Sequence, residues 1–414
     1  MKFKFEFEEE MWKKAAFCAR CGTCRTVHAE QIEGQETGWQ CPSGTNYFFE
    51  SYYPSGRNYT AVALQRGQLD WSERVVDAIY SCTTCGFCQY TCERINVLKP
   101  TDIIRWMRAK AIEAGVGPLP AQRVIAQNLD AYDNPWGQPR TRRTNWTRGL
   151  GFKIKDLSKG KEKAEVLFYP GCTYAYDPRI TEYIRDTARL MHEAGVDFGI
   201  LGNAEKCCGS TAFNLGYVKL LEKYGSDNIE TFNNLGIKTV VTPCAGCYNT
   251  IKNVYAQLGE CQYETKHTVV MLAELIEQKM LKPIHPVNTI VTYHDPCHLG
   301  RHGKIYDAPR EILKSIPGIT LIEMNRIREY AFCCGGGGGA RTGKLDFALA
   351  TARRRIKEAE GTGAKLLVTA CPFCEQNFLD YMDASGSKLE LVDVVKLLKQ
   401  SIFGEQDEKK KEAG

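Results

Sequence analysis

The stretch Cys333-Cys334-Gly335-Gly336-Gly337-Gly338-Gly339 decides the fold of this chain, because its opening triplet is one half of a repeat. Cys207-Cys208-Gly209 carries the same triplet earlier in the sequence. Working outward, Cys297 matches Cys172, and the pair Cys371-Cys374 matches Cys244-Cys247. The offsets between matched cysteines are all 125–127 residues. Five cysteines recurring in one order at a near-constant offset mark an internal duplication.

The residues between the cysteines repeat as well. In the first copy, Val166–Tyr169, Val196–Leu201 and Lys238–Thr242 read as short strands. A helical pattern carrying Ile180, Tyr183, Ile184 and Met191 on one face ends at Gly195, and a second helix covers Val218–Thr231. In the second copy the expected strands are Thr289–Tyr293, Ile319–Glu323 and Lys365–Thr369. Its expected helices are Ala308–Ile316 and Leu345–Glu358. Strands alternating with helices imply a small parallel sheet in each copy. Most of the cysteines follow the carboxyl ends of strands, the edge where open α/β sheets hold their ligands. Cysteines can also serve as small buried apolar residues. Their strand-end placement in both copies argues instead for two sites of five converging thiols.

A second group of cysteines lies near the N-terminus. Cys82-x2-Cys85-x2-Cys88-x3-Cys92 is the spacing of the bacterial ferredoxin run that holds [4Fe–4S] clusters, with Glu93 where proline is usual. Its fourth cysteine ordinarily ligates the other cluster. Cys18-x2-Cys21-x2-Cys24 repeats the triple, but His28 stands where the next cysteine is due. Cys41, followed by Pro42, is the displaced partner expected after an insertion. The expected sets are therefore Cys18, Cys21, Cys24 with Cys92, and Cys82, Cys85, Cys88 with Cys41; His28 is the alternative fourth ligand. Structural zinc favours paired CxxC units and fits two such triples poorly. Thr101 is expected to cap a helix that opens at Pro100 and ends at Gly115.

The chain has 414 residues, room for about three domains. Hydrophobic residues make up 43% and charged residues 25%, which excludes a disordered or fibrous chain. The net charge of +5 does not point to nucleic acid. An odd count of 19 cysteines cannot pair completely, and clustered thiols point to a reducing compartment, the cytoplasm. The opening MKFKFEFEEE is not a signal peptide, and no transmembrane segment is expected.

These motifs together resemble the D-type subunit of heterodisulfide reductase and its relatives, among them the iron–sulfur subunits of glycolate and lactate oxidases and a subunit of the benzoyl-CoA reductase complex. The resemblance spans about residues 15 to 390 and rests on a Cys, Cys-Cys-Gly, Cys-x-x-Cys motif present twice in full. It implies an α+β chain: a helical two-cluster ferredoxin domain, then a duplicated α/β pair of cysteine-rich CCG domains with short parallel sheets. The expected layout is a ferredoxin-like domain at 1–133 and a Pro- and Arg-rich linker at 134–163. The first CCG domain follows at 164–285, the second at 286–400, and a charged tail at 401–414. Two cubane [4Fe–4S] clusters and two non-cubane [4Fe–4S] clusters are implied, with zinc or no metal in one CCG domain as the variant known among relatives. The ligands of the non-cubane pair would be Cys172, Cys207, Cys208, Cys244, Cys247 and Cys297, Cys333, Cys334, Cys371, Cys374. In that family the clusters reduce a disulfide held between the two sites.

Around these sites, Gly209, Gly335 and Gly336 are expected to let backbone approach the clusters closely, the five-glycine run being otherwise a mobile loop. His294 and His298 flank Cys297 and are the candidate proton donors, or else hydrogen-bonded supports. Cys261 fits no motif and reads as a buried free thiol. Tyr47, Phe48, Phe49, Tyr52 and Tyr53 beside Cys41 read either as a cluster cover or as a partner surface. Gly338–Lys344 spells GxxxxGK, but Leu345 replaces the magnesium-binding Ser or Thr, so it is not a phosphate loop. With no dinucleotide fingerprint, electrons must be exchanged with a flavoprotein or other redox subunit of a larger complex, through which peripheral membrane association could arise. A pure relay role in a flavoprotein dehydrogenase or an aromatic acyl-CoA reductase complex is the alternative function.

Overall fold

The structure, a computed structural model, describes residues 10–26, 38–92 and 98–404. His28 and Glu93 lie outside the described residues. The N-terminal part is helical and the remainder builds two parallel sheets. The first sheet contains β1 (Lys155–Asp156), β2 (Val166–Phe168), β3 (Phe198–Ile200), β4 (Thr239–Thr242) and β5 (Glu264–His267), in the order β1-β3-β2-β4-β5. The second contains β6 (Thr289–Tyr293), β7 (Ile319–Leu321), β8 (Leu366–Thr369) and β9 (Glu390–Asp393), in the order β7-β6-β8-β9. Every pairing is parallel. Setting β1 aside, the two orders are the same, so the duplication read from the cysteines is a duplication of topology.

Local sequence explains the elements. In the helix Pro100–Glu113, Pro100 occupies the first turn, where its missing N–H costs nothing. Asp102 faces the positive end of the helix dipole. Ile103, Ile104, Met107 and Ala111 recur at helical spacing and are buried. Thr101 does not cap this helix as expected: Lys99 holds the cap position, and the Thr101 hydroxyl donates to Gln89 Oε1.

Residues 134–163, expected as a linker, are packed. Arg143 is buried and pairs with Glu205 at 2.5 Å. Trp146 packs edge-on against Phe168 with ring centroids 6.0 Å apart, and β1 joins the first sheet beside β3. Pro and Arg composition reads as coil, but the partner that makes a buried arginine tolerable lies 62 residues away in sequence. The tail also starts later than expected, because the helix Val394–Phe403 runs through 401–403.

One residue reaches from the helical part to both copies. Arg108 is fully buried and donates to four backbone carbonyls. These are Ile79 (2.8 Å), Cys82 (2.6 Å), Asn214 (2.6 Å) and Gly338 (2.9 Å). The glycine run meets the same loop. A Cβ on Gly337 would lie 2.8 Å from the Thr83 oxygen, and one on Gly338, whose φ is +61°, only 2.5 Å from the Cys82 oxygen. The run is therefore a packed contact and not a mobile loop.

Candidate metal centres and the cavity between the two halves

None of the 19 cysteines forms a disulfide among the described residues. The N-terminal ones line two adjoining cavities. The outer is walled by Cys18, Cys21, Cys24, Cys88 and Cys92, the inner by Cys24, Cys41, Cys82, Cys85 and Cys88. Each expected set of four falls within one cavity, and Cys24 and Cys88 border both. Cys21 is exposed, so the outer cavity is the one nearest solvent. Cys41 caps the helix Pro42–Tyr47 and is buried beside Ser43, which accepts from the buried Arg57 at 2.8 Å. Burial, with Cys41 nearby, pushes the Cys24 thiol up to about 12.

The flanking aromatics differ in burial. Tyr53 is buried with its ring against Gly44, and Tyr52 stacks on Tyr47 while donating to Asp77 at 2.6 Å. Phe48 and Phe49 are exposed.

In the duplicated part, the five thiols of each copy form one chain of side-chain contacts in the same order. The first runs Cys172, Cys207, Cys208, Cys247, Cys244, and its Cys208 and Cys247 sulfurs are 3.3 Å apart. The second runs Cys297, Cys333, Cys334, Cys374, Cys371. All ten are buried. Donation from Cys207, and then from Cys247, draws the Cys208 thiol down to about 6. Backbone N–H groups point at these sulfurs from the expected glycines. Gly209 N reaches Cys207, Gly335 N reaches Cys333 and Gly336 N reaches Cys334, each at 3.4 Å. Thr84 N reaches Cys82 at the same distance, and Arg143 Nη2 reaches Cys172 at 3.3 Å. Amide donors aimed at sulfur stabilise thiolates that ligate metal.

The donor chemistry fits an iron–sulfur group. Ten buried cysteines could all be thiolates only with cations among them, as a bound cluster would supply. A lone tetrahedral ion takes four ligands and rarely two neighbours in sequence. Five convergent thiols with an adjacent pair suit a core of several irons.

A cavity of about 240 Å³ lies between the two copies. Cys297, Cys334, Cys371 and Cys374 line it from the second copy, together with His298 and the glycine run. The first copy contributes Ser210, Thr211, Asn214 and Gly246, but none of its five cysteines. The two histidines part here. His298 Nδ1 is 3.4 Å from the Cys297 sulfur, and its buried Nε2 has no hydrogen-bond partner among the described residues. His294 does not line the cavity and is 1% exposed. Arg355 Nε donates to its Nδ1 at 3.1 Å, so the proton is on Nε2, in the group formed with the Cys334 and Cys374 sulfurs. Burial lowers its pKa. Of the two roles expected for it, proton donor or hydrogen-bonded support, this placement behind the cysteines and away from the cavity fits the second. Cys261 is half-buried, not buried.

Sequence reasoning missed the cross-chain contacts at these sites. Arg301 Nε donates to the Cys85 carbonyl at 2.8 Å, and His302 Nε2 donates to the Thr84 carbonyl at 3.1 Å. Both partners lie more than 200 residues upstream, beyond any local signal.

A fold of two cysteine-rich α/β copies joined to a double ferredoxin-type motif defines an iron–sulfur oxidoreductase. The family model described as CCG, cysteine-rich domain, matches residues 166–252 and 291–378. The D-type subunit of the dihydromethanophenazine:CoB–CoM heterodisulfide reductase of Methanosarcina mazei is 32% identical over 400 residues, covering 93% of each chain. The EtfAB:quinone oxidoreductase of Syntrophomonas wolfei is 34% identical over 333 residues, 78% of this chain and 46% of that one. The B-type subunit of the fumarate reductase (CoM/CoB) of Methanothermobacter marburgensis is 31% identical over 326 residues, 78% of this chain and 62% of that one. The chain belongs to the family of D-type heterodisulfide reductase subunits, as an iron–sulfur oxidoreductase subunit. Among the described residues no helix is long and apolar enough to cross a membrane.

Proposed function

We propose that this subunit passes electrons between a redox partner protein and a disulfide bound in the cavity between the two copies. Cys18, Cys21, Cys24 and Cys92 would hold an outer cubane [4Fe–4S] cluster, and Cys82, Cys85, Cys88 and Cys41 an inner one. The two five-cysteine sets would each hold a non-cubane [4Fe–4S] cluster. When bound, such clusters supply the electrons one at a time. Reducing a disulfide to two thiols takes two electrons and two protons. The single observation that carries this reading is the cavity itself, into which four cysteines of the second set and His298 open together. His298 borders the same cavity, where a departing thiolate needs a proton.

The test uses protein purified anaerobically with its co-purifying partners, reduced by a viologen dye and offered low-molecular-weight disulfides. His298→Gln is expected to slow reduction by about 10²-fold with iron content unchanged. His294→Gln is expected to alter the resonance signal of the second site, since that ring supports the Cys334 and Cys374 sulfurs and does not line the cavity. Normal turnover by His298→Gln would remove the histidine from the mechanism. A relay without its own substrate is the second reading, favoured by the similarity to an EtfAB:quinone oxidoreductase. No disulfide turnover, together with fast oxidation by a flavoprotein or quinone, would decide for it.

The ligand sets make a further expectation. Cys41→Ala should abolish or alter one cubane signal in electron paramagnetic resonance, while His28→Ala leaves both. The reverse outcome would make His28 the ligand.

A further inference from the structure

The two copies are alike in their thiols but not in their connection to the N-terminal cavities. Among the described residues, the side chain of Cys85, in the inner cavity, interacts directly with that of Cys333, in the second set. In the first copy, Cys172 and Cys207 share a buried apolar cluster with Cys18, Cys82 and Cys92, and the cation at the set, Arg143, donates to the Cys172 sulfur at 3.3 Å. Arg301 spans the Cys85–Cys333 contact. It is 6% exposed, and its Nε holds the Cys85 carbonyl at 2.8 Å. Its Nη1 holds the carbonyls of Ala331 at 2.7 Å and Glu329 at 3.0 Å, just before Cys333. Cys85, Cys297 and Cys333 lie near enough for their thiolates to feel its charge. Among the described residues no carboxylate is hydrogen-bonded to the guanidinium, whose three bonds all go to neutral carbonyls.

We propose that Arg301 is a fixed cation shared by the inner cubane and the second five-cysteine site, setting the potentials of both and making the second site the one in communication with the cubanes. This rests on the four-cluster reading above. A buried positive charge favours the more negative, reduced form of any centre beside it, so it raises the potential. Because arginine stays protonated, this contribution does not vary with pH near neutrality. Transfer between the two centres moves one electron and no atoms. The electron reaches the inner cubane through the outer one, from a redox partner protein or from dithionite in the test.

The experiment is an anaerobic redox titration of the full chain, followed by electron paramagnetic resonance, for parent, Arg301→Gln and Arg301→Lys. Iron content is measured first, so loss of the four-cluster reading is distinguished from loss of this one. With iron retained, Arg301→Gln should lower the midpoint potentials of the inner cubane and the second site together, leaving the other two centres unmoved. Arg301→Lys, which keeps the charge, should restore most of the shift. Unchanged potentials in Arg301→Gln, or a shift confined to the first site, would overturn the proposal. Should Arg301→Gln fail to fold, rapid freeze-quench of the parent decides. The second site must become reduced before the first, and the opposite order contradicts the assignment.

Discussion

Arg108→Met is expected to destabilise the protein by about 3–5 kcal/mol and to loosen the inner cubane. The substitution keeps much of the aliphatic volume but removes every donor. Four carbonyls, of Ile79, Cys82, Asn214 and Gly338, lose a charge-assisted bond in a place water cannot reach. An orphaned buried acceptor costs roughly 1–3 kcal/mol, and partial rearrangement keeps the total below the sum. The four carbonyls belong to three different parts of the fold, so the loss is one of assembly and not of a single helix. Urea unfolding followed by circular dichroism measures it. Gly338→Val should do comparable damage by another route, pressing a Cβ into the Cys82 carbonyl at a φ that valine resists. A change below about 1 kcal/mol for both variants would mean that this junction does not hold the molecule together.

Cys334→Ser is expected to abolish disulfide reduction, slowing it by on the order of 10²-fold or more. Removing a residue that merely supports a metal ligand costs roughly 10–100-fold, so removing a ligand costs at least as much. Cys334 is central to its set: it interacts with Cys333 and Cys374, receives the Gly336 amide at 3.4 Å and borders the cavity. The iron content should fall by about a quarter, on the order of 4 of 16 irons. Both cubane signals should persist, since the N-terminal cavities keep their cysteines. Retained turnover with a quarter of the iron missing would place the chemistry elsewhere.

Much of this is legible in the sequence, because cysteine spacing and strand patterning are local signals. The repeat of Cys172, Cys207, Cys208, Cys244 and Cys247 in the second copy foretells the repeated sheet order. The short strands β5 and β9 are not legible in this way. They lie at sheet edges, and Glu264-Thr-Lys-His267 carries none of the apolar run that marks a central strand. The glycine run reads as allowing a close approach. The approach is real, but the partner at Gly337 and Gly338 is backbone of the Cys82–Thr83 loop. Arg108, Arg143 and Arg301 cannot be singled out, because an arginine's burial depends on partners far along the chain. Nor can His294 be told from His298, since both flank Cys297 and only packing decides which one faces the cavity.

The most direct measurement is the metal and acid-labile sulfide content of the anaerobically purified chain. Two cubane sites and two five-cysteine sites require on the order of 16 irons per chain with comparable sulfide. Zinc should be a minor component, and the resonance spectra should contain cubane and non-cubane signals. Protein that instead carries mainly zinc, with little iron or sulfide, would contradict the assignment of all four sites.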